Sequence, residues 1–318
     1  MRHVVLGAGP LGTCLAGQLG DRGDDVSLYS VMGDRAYDMP GTSPVEVDGT
    51  DPRALKEACA GADAIYLLLN AHYVDWYELY PPRMAAAIET AEATAARLIY
   101  HDNMYMFGPA REPLTETTPH RSTTHKGRLR SEMAATLIRA METGRIRGVI
   151  GRSADMYGPG ALNSSFNSTL GERHFYPMLA GKPVSILGNV DVPHTYAYVP
   201  DVAAALLTLA TRPDAMGDLW HVPSAPALSH GELLAIAFEL AGRKARIRSS
   251  ALSAFFVKAI GSFQSDVGEV AELLYQFQKP LVVSHDKYAA HFGVNVTSHR
   301  EALAATLDWY RVNPKEAG

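Results

Sequence analysis

Apolar residues in the first half of the chain fall into short, β-branched runs separated by segments with helical spacing. Residues 3–6, 26–29, 44–47, 64–69, 97–100 and 147–150 read as strands, and 11–19, 52–60, 84–96 and 127–141 as helices. Such alternation predicts a parallel sheet wrapped by helices. The run 64–69 is almost unbroken, as a central strand buried on both faces requires. Asp51 is placed to cap the helix at 52, and Pro52 takes the first helical position, where its missing N–H costs nothing.

Beyond residue 155 the pattern loosens. Residues 156–190 are rich in Gly, Asn and Ser and read mostly as loop with short helices. A helix over 199–209 begins with Pro200 and Asp201, a strand over 219–222 can return to the sheet, and 231–241, 267–277 and 299–310 have helical spacing. The expected layout is a first domain over 1–155, its sheet completed by about residues 195–225, and a smaller second lobe formed mainly by 156–318. No repeat, low-complexity tract or flexible linker interrupts it.

Composition narrows the classes. The 318 residues can bury a sizeable core, and 47% hydrophobic with 20% charged residues is ordinary for a soluble globular protein. A net charge of −5 gives no surplus of cations for a nucleic-acid backbone. Cys14 and Cys59 are too few for a disulfide framework, so a reducing compartment is expected. The apolar start breaks into glycines too early for a signal peptide, and no stretch approaches the ~18 apolar residues of a membrane span. These readings lead to the expectation of a cytoplasmic protein with a small-molecule substrate and neither nucleic acid nor membrane as partner.

Gly7-Ala-Gly9-Pro10-Leu11-Gly12 follows the first strand and opens the first helix. In a Rossmann-type, doubly wound sheet the three glycines give a tight turn, room for a pyrophosphate and close strand–helix packing. The helix N-terminus then offers N–H groups and a positive dipole end to the phosphates. At the end of the second strand, where NAD sites usually carry a carboxylate for the ribose, this sequence has Ser30, with Arg35 nearby. Both can bind a 2′-phosphate, so NADP(H) is expected over NAD(H); alternatively Arg35 is a solvated loop charge and Asp34 takes the ribose. Asp48 can accept from the adenine amino group or cap the Asp51–Pro52 turn. Leu68 and Asn70, after the fourth strand, complete the expected cofactor set.

Further segments carry a resemblance: Asp48-Gly-Thr-Asp-Pro52, Gly61-Ala-Asp-Ala-Ile-Tyr66, Leu98-Ile-Tyr followed by Phe107-Gly108, Met156-Tyr-Gly-Pro-Gly160 and Tyr198-Val-Pro-Asp201-Val-Ala. In order and spacing, from residue 3 to about 310, the chain resembles the extended short-chain dehydrogenase/reductases, the NAD-dependent epimerase/dehydratase group. The shorter glycine loop looks like that of an atypical subgroup. The resemblance implies a Rossmann domain with a C-terminal substrate lobe, and a homodimer through the helices near 84–96 and 127–141.

The resemblance breaks at the catalytic motif. Asn103 stands where the family has Ser or Thr, and Lys126 and Arg130 stand in place of Tyr and Lys of Tyr-x-x-x-Lys. The missing phenol normally passes a proton as hydride moves. Tyr105 is the expected substitute, assisted by Lys126, with Asn103 fixing the substrate oxygen and Arg130 available to the ribose; alternatively Tyr105 only lines the pocket and Lys126 is a surface charge. His101 or Asp102 is a further possible base. Tyr157, Asn163, Ser164 and His194 are expected to line the substrate site, and Asp155 to lie under the nicotinamide. The histidines show no metal spacing, and neither a Gly-x-Ser-x-Gly elbow nor a Walker loop is present. Three functions fit: an NAD(P)-dependent oxidoreductase or epimerase for a small oxygenated substrate, a catalytically silent NADP(H) sensor, or a lyase or isomerase keeping the cofactor as a structural element.

Overall fold

The computed structural model describes residues 1–31, 43–69, 71–110, 113–161, 170–250 and 272–314. The chain begins with β1 (Arg2–Leu6), α1 (Pro10–Asp21), β2 (Asp25–Val31), β3 (Val45–Val47), α2 (Pro52–Ala58), β4 (Ala64–Leu67), α3 (Trp76–Thr94), β5 (Arg97–Asp102), α4 (His125–Glu142) and β6 (Arg147–Arg152). It continues through β7 (Asp155–Tyr157), α5 (Glu172–Leu179), β8 (Val184–Leu187), β9 (Pro193–His194), β10 (Tyr196–Tyr198), α6 (Val199–Thr211), β11 (Leu219–His221), β12 (Leu228–Ser229), α7 (His230–Leu240), β13 (Ile247–Ser250), α8 (Asp286–Phe292) and α9 (His299–Val312).

Seven strands form one parallel sheet in the order β11-β6-β5-β4-β1-β2-β3. Successive strand residues point to opposite faces, and the core divides accordingly. Val4, Leu6, Ile65, Leu67, Leu98 and Ile150 pack toward α2, α3 and α4. Val5, Tyr66, Ile99 and Val149 pack with α1 and α6 on the other side. The strand expected to return near 219–222 does so as β11, at the sheet edge beside β6. Asp51 caps α2 as expected, accepting from Arg53 N–H at 2.9 Å.

Three elements differ from the sequence expectation. The helix read as 84–96 begins at Trp76 and runs through Pro81 and Pro82. Trp76, Tyr80 and Met84, four apart on one face, are all buried there, and their packing offsets the two missing N–H donors. The stretch 156–190 holds β7, α5 and β8 as well as loop. Of the helix expected over 267–277, residues 267–271 lie outside the described residues and Leu274–Phe277 forms a 3-10 turn, with the Phe277 carbonyl accepting from Asn189 N–H at 2.8 Å.

A separate core forms around Tyr157, Phe175, Met178, Leu233, Phe238 and Leu303. Segment 272–284 is a strap. Its Leu281 donates to Pro193 O (3.0 Å) and accepts from Thr195 N–H (2.8 Å), while Val282 O accepts from Leu114 N–H at 2.7 Å. Among the described residues no helix is long and apolar enough to cross a membrane.

Candidate active site

The topology reverses between β1 and β4, the switch point where open α/β sheets bind ligands. Gly7 leaves β1 there at φ +128°, its N–H donating to Tyr29 O at 2.9 Å. A Cβ on Gly7 would collide with the Leu68 carbonyl, and one on Gly12 with the carbonyl of Gly7. Gly9 caps α1 in extended conformation without a side-chain hydrogen bond, and Pro10 follows at the first position. The first-turn N–H groups are thus left for an anion, and Leu11 is buried beneath them. These residues fit a dinucleotide pyrophosphate. Ser30 is buried near the end of β2. Asp48 holds the turn before α2, accepting at Oδ1 from Thr50 N–H (2.8 Å) and Thr50 Oγ1–H (2.7 Å), bonds that lower its pKa. Arg35 and Asn70 lie outside the described residues.

At the far end of β5, Asp102 is buried between two guanidiniums. Arg152 Nε donates to Oδ2 at 3.1 Å, Arg130 Nη1 lies 3.5 Å from Oδ1, and Asn103 N–H donates to Oδ1 at 2.9 Å. The Asn103 side chain accepts from Tyr105 N–H at 3.1 Å through Oδ1, leaving its amide N–H groups as donors. Tyr105 stacks on Trp76 at 6.0 Å between centroids and shares a 2.9 Å hydroxyl–hydroxyl hydrogen bond with Tyr73. Burial, then neighbouring Tyr73 and Asp155, holds the Tyr105 phenol well above its ordinary pKa. His101 bonds Ser153 Oγ through Nε2 at 2.8 Å, and burial lowers it to about 3, so it stays neutral.

Lys126 is fully buried rather than a surface charge. Its ammonium pairs with Glu272 at 3.0 Å and sits 5.0 Å from the centroid of the Tyr73 ring. Arg130, one turn later, is held inward. It lies over the rings of Trp76 (4.4 Å) and Tyr80 (4.8 Å) and donates to Tyr100 OH at 2.8 Å. The ribose contact expected of Arg130 therefore competes with these internal partners, which engage Nη1 and the guanidinium face while the buried Nε has no hydrogen-bond partner among the described residues. The structure gathers Asn103, Tyr105 and Lys126 into one neighbourhood.

Of the expected substrate-lining residues, Tyr157 is set apart in the second core, bonded to His299 Nδ1 at 3.1 Å. Asn163 and Ser164 lie outside the described residues. His194 is fully buried, and its Nε2 meets Asp155 Oδ2 at 3.0 Å. After burial, the charge of Asp155 adds to the raised pKa of Tyr105, Tyr73, Tyr275 and Tyr196. Tyr73 and Glu272 contact Tyr105 and Lys126 but carry no motif; only their closeness in space reveals them.

An open parallel sheet with a glycine turn opening a helix at its switch point is a Rossmann-type α/β architecture. Residues 3–222 match the NAD dependent epimerase/dehydratase family, and the chain belongs to this family of enzymes. A comparison with curated proteins finds no match. Among solved structures, it is similar to a dTDP-glucose 4,6-dehydratase from Streptomyces venezuelae bound to NAD, with 18% identity, 98% of each chain covered and a TM-score of 0.77. It is also similar to a UDP-glucose 4-epimerase from Thermotoga maritima with UDP-glucose, at 16% identity, TM-score 0.79, and coverage of 98% of this chain and 99% of that one. At these identities the likeness is one of fold.

Proposed function

We propose that this protein is an NAD(P)-dependent oxidoreductase or epimerase-type enzyme, preferring NADP(H), that acts on a small oxygenated substrate with acid–base groups other than Tyr-x-x-x-Lys. When bound, the nicotinamide supplies or accepts the hydride. The observation that carries the reading is the Tyr73–Tyr105 hydroxyl pair, 2.9 Å apart, with the Lys126 ammonium over the Tyr73 ring. A phenol kept protonated by burial is suited to donating a proton to an oxygen that gains negative charge, rather than to removing one. Reduction of a carbonyl is therefore the favoured direction. Tyr105 gives its proton to the developing alkoxide, Tyr73 shares the charge through the hydroxyl bond, and the Lys126 cation offsets it. The Asn103 amide N–H groups hold the substrate oxygen. The cofactor preference is supported by Ser30, which stands where NAD sites place an acid, and by Arg35 close behind it in sequence.

Titration with NADPH, NADP⁺, NADH and NAD⁺, followed by intrinsic fluorescence, tests the binding. Tighter binding of the phosphorylated pair is expected, and binding of none of the four would remove the proposal. With NADPH and a panel of aldehydes and ketones, Tyr105→Phe should lower turnover at least ~10²-fold; unchanged turnover would remove Tyr105 from the role.

A further inference from the structure

Where β7, β9, β10 and α7 meet, three buried polar side-chain atoms have no hydrogen-bond partner among the described residues: Nδ1 of His194, the hydroxyl of Tyr196 and Nε2 of His230. The backbone explains their convergence. Tyr196 stands opposite Asp155 in the β7–β10 register. His194 stands opposite Leu228 of β12, and that strand runs directly into α7 at His230. The ring centroids are 4.7 Å apart for His194–Tyr196, 5.5 Å for His194–His230 and 5.2 Å for Tyr196–His230. Buried polar groups without a partner are costly, because they have given up water and gained nothing in return. Native folds leave few of them, so three side by side point to something that binds there.

Charge narrows what that is. The carboxylate at the cluster is Asp155, bonded to His194 Nε2. Burial lowers His230 to about 3, with smaller effects from His194, Asp155 and His174, so its ring is neutral. Tyr196 feels burial and then Asp155. Among the described residues no lysine or arginine is hydrogen-bonded or ion-paired to His194, Tyr196 or His230. An incoming phosphate or carboxylate would meet the like charge of Asp155. A hydroxyl group, donor and acceptor at once, satisfies imidazole nitrogens and a phenol.

We propose that Asp155, His194, Tyr196 and His230 form a subsite for a neutral, hydroxyl-bearing part of the substrate, a diol or polyol rather than an anionic group. Asp155 fixes the ring of His194 by holding Nε2, which leaves Nδ1 for that hydroxyl. The inference rests on the reading of the Tyr73–Tyr105 neighbourhood as a reaction site.

The full chain, labelled with ¹⁵N-histidine, is titrated with glycerol and, at matched ionic strength, with glycerol 3-phosphate, following the imidazole resonances of His194 and His230. Glycerol should shift both in a saturable manner, and glycerol 3-phosphate should do so more weakly. Tyr196→Phe, which keeps the ring packing, should weaken glycerol binding about five-fold and leave NADPH affinity unchanged. Asp155→Asn, read for glycerol binding alone, provides a second variant should Tyr196→Phe fold poorly. The absence of a saturable glycerol shift would overturn the subsite and mean that the cluster holds only water. Tighter binding of glycerol 3-phosphate would overturn its neutral character. NADPH titrated into the same samples separates the two readings: failure of NADPH to bind beside a saturable glycerol shift removes the proposed reaction and leaves the subsite standing.

Discussion

Removing the Asp102 carboxylate by Asp102→Ala should be among the most destabilising single changes in the sheet. Both it and Arg152 have fully buried side chains, and Arg130 is nearly so. The substitution leaves two guanidiniums in the interior without their counter-charge and takes the acceptor from Asn103 N–H. Breaking a buried pair by removing one partner costs about 3–5 kcal/mol. Because the carboxylate here serves two cations, the upper part of that range is expected. At about 2 °C per kcal/mol for a chain of this length, Tm measured by circular dichroism without cofactor should fall by roughly 8–10 °C. Asp102→Asn, which keeps the shape and one acceptor, should lie in between. A double-mutant cycle between Asp102 and Arg152 should return a coupling of up to about 3 kcal/mol. An Asp102→Ala protein within about 1 kcal/mol of the parent in urea unfolding would refute the reasoning, because the two arginines would then have to be satisfied without it.

Two further outcomes follow from the geometry. Gly7→Ala forces a Cβ into a backbone conformation that side chains rarely adopt and against the Leu68 carbonyl. A strain of about 1–3 kcal/mol and the loss of NADPH binding in a fluorescence titration are expected, and retained affinity would show that the loop is not the phosphate cradle. Burial lowers His101 and His230 to about 3 and His174 and His221 to about 4, all from an ordinary value near 6.5. The unfolded chain therefore takes up protons at these four sites that the native protein refuses. Stability should hold above pH 6.5 and be lost as pH falls toward 4, by up to about 1.4 kcal/mol per pH unit for each histidine. A urea midpoint that does not change between pH 6.5 and 4.5 would contradict this.

Local signals in the sequence were sufficient for the sheet and the glycine turn that opens its first helix. The glycines at 7, 9 and 12, the Asp51–Pro52 helix start and the apolar run at 64–69 each act within a few residues of themselves, so spacing alone reveals them. The catalytic departures at Asn103, Lys126 and Arg130 were equally visible. What surrounds them was not. Lys126 finds Glu272 across 146 residues and His194 finds Asp155 across 39, and no periodicity encodes such meetings. The inward turn of Arg130 depends on Trp76 and Tyr80, on a helical turn that two prolines hid from pattern reading.

The strap over 272–284 bears on how the protein is made. Lys126 is buried with Glu272 beside it, Tyr275 OH donates to the Tyr105 carbonyl at 3.4 Å, and Leu281 ties Pro193 to Thr195. All of these partners are synthesised long before the strap leaves the ribosome. The nascent sheet can form as its strands emerge, since neighbouring strands come in quick succession. Its lysine, however, must wait for a counter-charge encoded nearly half the chain later. A ribosome pausing before residue 272 would hold a folded sheet with an unfinished site, and such long-range contacts make closure of the strap a slow, late event in assembly.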